Sequence, residues 1–582
     1  MYKFAPLLTS CLIALSLTGC ASLTGPNEEP AEQKEPAPAE AAGEQQEAIE
    51  YAEFEPEVLY LLLSGEIAAQ RGRYDITLVN YLQAAKRSRD KGVISRAMRI
   101  AQSLNGDNAQ QQLANLWLEV EPDSVEAHRI AAIQAVKRNE LEAALGHMET
   151  LMDLGADADF DALAIMASNL PPERQAELLA LYKEMAEQHP ESVELEYSTA
   201  LLLKMNGSPD EALSRVNALL EDNPNFQPGI TLKGDLLYQT GQKRKALDYL
   251  LTNTRRYPSN RQMGTLYGRV LINEGEVRAA QDEFDRLVNQ FPDTPGLRLS
   301  HALVAIENGE TDLAREDLTQ LIEEGHHISE ANYYLGRIED GEGNIQPAIN
   351  YYGRVAEGNF YFSALARKSA LLAENDQLDE AVSNIRNLRE ANPAQDENYR
   401  LLEVNLLMEQ EEEQTALESA SRAVELYPEN IQIRYARAML LDMQGQTAPA
   451  EEDLQLIINQ DPGNSVALNA LGYILTTKTD RLDEARNYIE RALALDPENP
   501  AILDSMGWVL FLEGDVEQAL DYLSRAWSEY TDPEIAAHYG EALWTTGARE
   551  QARIIWKEGL DMDPDHEILR ETIERLTESS DN

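Results

Sequence analysis

One spacing governs this chain. Between residues 464 and 564 three segments repeat a single pattern. They read NSVALNALGYILTTKTDRLDEARNYIERALALDP, NPAILDSMGWVLFLEGDVEQALDYLSRAWSEYTDP and EIAAHYGEALWTTGAREQARIIWKEGLDMDP. In each, a glycine (Gly472, Gly507, Gly540) is followed twelve or thirteen residues later by an alanine (Ala485, Ala519, Ala552). Four residues on comes a bulky apolar side chain (Ile489, Leu523, Trp556), then a small residue (Ala492, Ala526, Gly559), and then a proline closes the unit. Small residues at two positions let a pair of antiparallel helices approach closely. The bulky one fills the gap between them, and proline ends the second helix. Such pairs bury their apolar faces only by stacking on one another, so the spacing predicts an all-α solenoid.

The register extends far beyond these copies. Steps of thirty-three to thirty-five residues lead from Gly65 through Met98, Ala132, Met166, Ala200, Gly234, Gly268, Ala302 and Gly336 to Ser369, Val404, Ala438, Gly472, Gly507 and Gly540, fifteen positions in all. The partner position holds alanine in twelve of them, and Thr77 takes that place in the first. The units at Met98 and Met166 match poorly and are expected to be plain helix pairs. Gly241, Gly275, Gly309, Gly445, Gly514 and Gly547 fall where first helices should end, which suits a left-handed terminal residue. Ser124 and Asn430 precede apolar runs as N-caps do. The segment HEILRETIERL after Pro564 predicts one more amphipathic helix, closing the stack with a charged outer face. The pattern, with Gly, Ala and Pro in these places, resembles the tetratricopeptide repeat, a helix–turn–helix unit of about thirty-four residues.

Composition narrows the partners. Of 582 residues, 102 are Asp or Glu and 49 are Lys or Arg, a formal charge of −53. A surface of that sign does not neutralise phosphates, which argues against nucleic acid, and it attracts a basic protein. Solubility of a long array is the simpler account of the charge. The two cysteines, Cys11 and Cys20, lie near the N-terminus, so neither a disulfide framework nor a thiolate metal site is available to the body of the chain.

The first nineteen residues carry Lys3 and an apolar stretch from Ala5 to Leu17, too short to span a bilayer. Leu17-Thr18-Gly19-Cys20 resembles the bacterial lipobox. That resemblance implies cleavage before Cys20 and lipidation of its sulfur and amine. Several acyl chains make a stable anchor where one does not. No aspartate follows Cys20, so the implied destination is the outer membrane, facing the periplasm. Residues 20–55 are rich in Pro, Ala and Glu and are expected to be a disordered acidic tether. The solenoid is expected over 56–565, with a capping helix and tail over 566–582.

The sequence predicts no catalytic, cofactor or metal site. His326, His327 and Glu330 fall between helix pairs without a paired ligand motif. Asp561, Asp563, Asp565 and Glu567 alternate like a calcium loop but lack its glycine and distant glutamate. Gly341-Glu342-Gly343 follows no predicted strand, and no serine sits in a nucleophile elbow. An enzyme is not expected.

In the tetratricopeptide family, ligand-facing positions lie three and two residues before the glycine position and one and four after it. Carried over, they include Asn469, Ala470, Tyr473 and Thr476, then Asp504, Ser505, Trp508 and Phe511, then Ala537, His538, Glu541 and Trp544. The resemblance thus implies a partner-binding strip of Asn469, Tyr473, Asp504, Trp508, Phe511, His538, Glu541 and Trp544 on the concave face. Packing between neighbouring helices is the competing role for its aromatics. No Lys or Arg stands at these positions, which argues against the family's carboxylate-clamp form.

The phrases LYLLLSGEIAAQRGRYD, NALGYIL, ILDSMGWVLF and EIAAHYGEALW resemble proteobacterial outer-membrane repeat lipoproteins of the LbcA type, which bind the carboxyl-terminal processing protease. The resemblance implies a non-catalytic adaptor that holds and activates this periplasmic serine protease and brings it peptidoglycan hydrolases, by raising their effective concentration. Two other functions fit the same features: a scaffold for envelope assembly or exopolysaccharide export, and a lipid-anchored cell-wall enzyme.

Overall fold

The computed structural model describes residues 55–156, 158–166 and 170–578. The signal segment, Cys20 and all but the last residue of the tether lie outside the described residues. Within them are 31 α-helices, one short 3-10 turn and no strand. The chain divides into two compact units, one within Ser22–His326 and one within His327–Asn582. The first holds eight helix pairs, from Pro56–Gln70 with Tyr74–Ser88 to Pro295–Glu307 with Thr311–Glu323. The second holds seven, from Ile328–Gly341 with Ile345–Tyr352 to Pro533–Thr545 with Arg549–Met562, and a closing helix, Glu567–Glu578. The expected all-α repeat architecture of fifteen pairs and a final helix is observed.

Each pair closes where the sequence spacing places the contact. All twelve alanines at the partner position, Ala144 to Ala552, have no solvent exposure. In the first pair Thr77 is tolerated there because its hydroxyl donates to the Gly65 carbonyl at 3.2 Å. The glycine position is equally tight. A Cβ on Gly507 would lie 2.5 Å from Leu523 Cγ and 3.1 Å from the Ala519 carbonyl, and one on Gly268 would lie 2.6 Å from Phe284. Any side chain at either site drives the helices apart or displaces the bulky residue packed there.

Turn chemistry follows the same logic. Gly241 ends its helix at φ +76, where a residue with a Cβ is strained, and the Gln242 N–H donates back to the Leu237 carbonyl at 2.9 Å. Asn430 and Ser124 cap as expected, accepting from the Ile433 and Ala127 N–H groups at 2.8 and 3.4 Å.

Two pairs depart from the pattern. At Met166 the first helix is a seven-residue piece, Phe160–Met166, while its partner runs seventeen residues, Pro172–Gln188. The unit at Met98, in contrast, forms helices of ordinary length, Lys91–Ser103 and Asp107–Val120. At Gly336 the second helix stops after eight residues, and Phe360 from the following link stacks on Tyr333 at 4.5 Å.

Candidate protein-binding face

The strip picked out by register lies on three first helices, Ser465–Lys478, Pro500–Glu513 and Pro533–Thr545, each touching the next. Its eight residues do not share one environment. Asn469, Tyr473, Trp508 and Phe511 are half-buried, whereas Asp504, His538, Glu541 and Trp544 are buried.

At the centre is His538, only 3% exposed. Its ring stacks on Trp508 with centroids 4.1 Å apart and planes 17° from parallel. Its Nδ1 lies 2.9 Å from Asp504 Oδ2. Burial pushes the imidazole pKa down, but the carboxylates of Asp504, Glu534 and Glu541 more than offset this and hold it above the usual histidine value. Trp508 continues outward to Phe511, stacked at 5.3 Å. The result is a half-exposed aromatic platform supported by a buried His–Asp pair, with Tyr473 tilted at 6.2 Å from the His538 ring. The Tyr473 hydroxyl donates to Glu534.

The other end of the strip is used internally. Trp544 lies 5.3 Å from Trp556, and Arg549 and Arg553 stand over its ring at 4.9 and 5.5 Å. Glu541 Oε2 accepts from Arg575 of the closing helix at 2.5 Å. These contacts tie the last pair to the final helix, so Trp544 and Glu541 contribute packing, while Tyr473, Trp508 and Phe511 keep area for a partner.

Five contributing residues were not singled out from the sequence. Arg575 and Glu534 complete the charge pattern around His538 and Glu541. The preceding pair adds Tyr435, Met439 and Asp442 from the helix Ile431–Met443, all half-buried. The rule that yields Asn469 and Asp504 yields these three when applied at Ala438. The spacing of thirty-four between Glu541 and Arg575 is the signal for that pair.

Sequence comparison with repeat families agrees with this architecture. Tetratricopeptide repeat family models match residues 299–363 and 477–537. The TPR repeat-containing protein PA4667 of Pseudomonas aeruginosa is 38% identical over 580 residues, 99% of this chain and 97% of that one. Protein O-mannosyl-transferase TMTC1 of Homo sapiens is 26% identical over 169 residues, 28% of this chain and 19% of its own. Among solved structures, a tetratricopeptide repeat protein from Parabacteroides merdae is 15% identical over 43% of this chain and 98% of its own, with a TM-score of 0.35. The APC/C hetero-tetramer Cut9-Hcn1 gives 13% identity over 90% of this chain and 96% of that one, with a TM-score of 0.33.

Proposed function

This chain belongs to the family of tetratricopeptide-repeat proteins that includes the Pseudomonas aeruginosa relative, and from that premise we propose that it is an outer-membrane lipoprotein adaptor. In this reading lipidated Cys20 anchors it facing the periplasm. The repeats hold a carboxyl-terminal processing protease and present peptidoglycan hydrolases to it. The chain itself supplies no catalytic group. The observation that carries the protein-binding part is the half-exposed platform of Trp508 and Phe511, backed by buried His538 and Asp504. Aromatic side chains fixed on a rigid helix face lose little entropy on binding and dominate interface energies. The lipobox residues and the end segments quoted above support the anchor and the choice of protease.

The test uses the chain from residue 20 with Cys20→Ser, immobilised and incubated with the purified protease. Retention of the protease and faster cleavage of a hydrolase substrate are expected. Trp508→Ala should reduce both, with helical content unchanged by circular dichroism. If only export or envelope-assembly components are retained from periplasmic extract, the adaptor reading is wrong. Labelled palmitate in the full-length chain, lost in Cys20→Ser, tests the anchor separately.

A further inference from the structure

Away from the binding face, buried carboxylates of the His327–Asn582 unit are doubly held. Asp453, 1% exposed, receives Arg434 at 2.8 Å and Arg437 at 2.6 Å. Glu403, also 1% exposed, receives Arg386, Arg389 and the Ser419 hydroxyl. The first-helix face is built differently. Asp442, Asn469 and Asp504 lie on three successive first helices at ligand-facing positions. The Oδ1 of each is shielded from solvent and receives no hydrogen bond. Withholding a donor from a buried acceptor costs on the order of 1–3 kcal/mol. Three such sites in series, in a unit that holds Asp453 and Glu403 by two arginines each, mark a surface left incomplete.

The missing donors have a definable chemistry. Asp504 already faces His538 through Oδ2, and its Oδ1 lacks a donor. Asn469, whose Nδ2 donates to the Ala501 carbonyl at 3.5 Å, needs an N–H. Among the described residues no donor reaches the Asp442 Oδ1. Burial pushes its carboxyl pKa up, with only Lys478 acting in the opposite direction. An unpaired, partly desolvated carboxylate calls for an ammonium or guanidinium. Main-chain N–H groups are free in an extended segment and spent in a helical one. Tyr435, Met439 and Tyr473, half-buried on the same face, offer apolar area between the acceptors.

We infer that the face formed by the Ile431–Met443, Ser465–Lys478 and Pro500–Glu513 helices takes an extended, basic segment of a partner protein. A lysine or arginine of that segment meets Asp442, and a main-chain N–H meets Asn469. The formal charge of −53 attracts such a segment from a distance. Asp442 and Asn469 are only half-buried, so side-chain rotation, not unfolding, opens them. This inference rests on the reading of the first-helix face as a protein-binding surface.

Fluorescence anisotropy tests it with labelled nine-residue peptides alternating leucine with lysine, with glutamine or with glutamate. The lysine peptide should bind the full chain, and the glutamine peptide should bind about tenfold more weakly or worse. Asp442→Asn should weaken the lysine peptide by about tenfold, with an unfolding midpoint unchanged or higher because a buried charge has been removed. Glu425→Gln, the same charge change at an exposed site on a second helix, should leave affinity within about twofold. Equal loss in both variants means bulk attraction and overturns the inference, as does equal binding of all three peptides. If Trp508→Ala abolishes protease retention while peptide binding ignores charge, the binding face stands and the basic-segment assignment falls.

Discussion

The first-helix faces of the two units handle the same problem in opposite ways. In the Ser22–His326 unit, Asp235 sits one residue after its glycine position and is 7% exposed. Lys204 from the helix before and Arg269 from the helix after both reach it, the latter at 3.2 Å, and Gln239 donates to it as well. In the His327–Asn582 unit, Asp442 and Asp504 occupy equivalent faces and each keeps an oxygen without a donor. The Asp235 cluster is closed by its own chain. The Asp442 and Asp504 Oδ1 atoms are left without a donor. On one register, neighbouring repeats supply the countercharge at Asp235 and leave an oxygen without a donor at Asp442 and Asp504.

Breaking a closed cluster should cost most. Asp453→Ala leaves Arg434, 8% exposed, buried without its carboxylate, so a loss of about 4 kcal/mol is expected in urea unfolding of that unit. A change under about 1 kcal/mol would mean that buried pairs here are not structural and would remove the contrast with the open face. Gly507→Arg should follow, at about 3 kcal/mol, because Leu523 and the Ala519 carbonyl leave no room for a Cβ. Unchanged thermal unfolding in that variant would refute the assigned register. Asp235→Ala should cost less, about 1–2 kcal/mol, since Lys204 and Arg269 are partly solvated and can turn to water. If it equals Asp453→Ala, the two carboxylates are equally enclosed and the ladder is more deeply closed than its cations indicate.

The smallest effect concerns pH. His538 has a folded pKa raised above the ordinary 6.5. Its protonation therefore adds stability that is fully present below the unfolded value and is lost as pH rises through the folded one. The unfolding midpoint of His538→Gln should fall below that of the native chain at acidic pH and approach it at alkaline pH. A difference independent of pH would show that His538 acts through stacking on Trp508 alone. His301 in the other unit is also raised, against burial, by Asp317 and Asp285. The analogous His301→Gln should behave in the same sense.

How much of this was legible in advance depended on the kind of contact. The Gly507–Leu523 approach and the Ala519 position are intra-repeat contacts at fixed separations, so periodicity displayed them directly. The seven-residue helix Phe160–Met166 was foreshadowed by a poor match at Met166, but the eight-residue helix ending at Tyr352 was not, because its register residues Gly336 and Ala348 are regular. For the candidate face, register located Asn469, Tyr473, Asp504, Trp508, Phe511, His538, Glu541 and Trp544. It did not separate those that keep exposed area from those enclosed by Trp556, Arg549, Arg553 and Arg575. That separation depends on which neighbouring side chains turn inward.

By itself the sequence determined the helix-pair unit, its period and its close-packed positions, because those obey local sterics and repeat fifteen times. Only the tertiary structure decided which acidic groups on the first-helix face find a partner within the chain. A hydrogen bond across repeats requires two side chains from helices some thirty-four residues apart to meet in distance and angle. Asp235 has such neighbours in Lys204 and Arg269. Among the described residues no donor reaches the Asp442 Oδ1, although Lys478 on the next first helix acts on its charge.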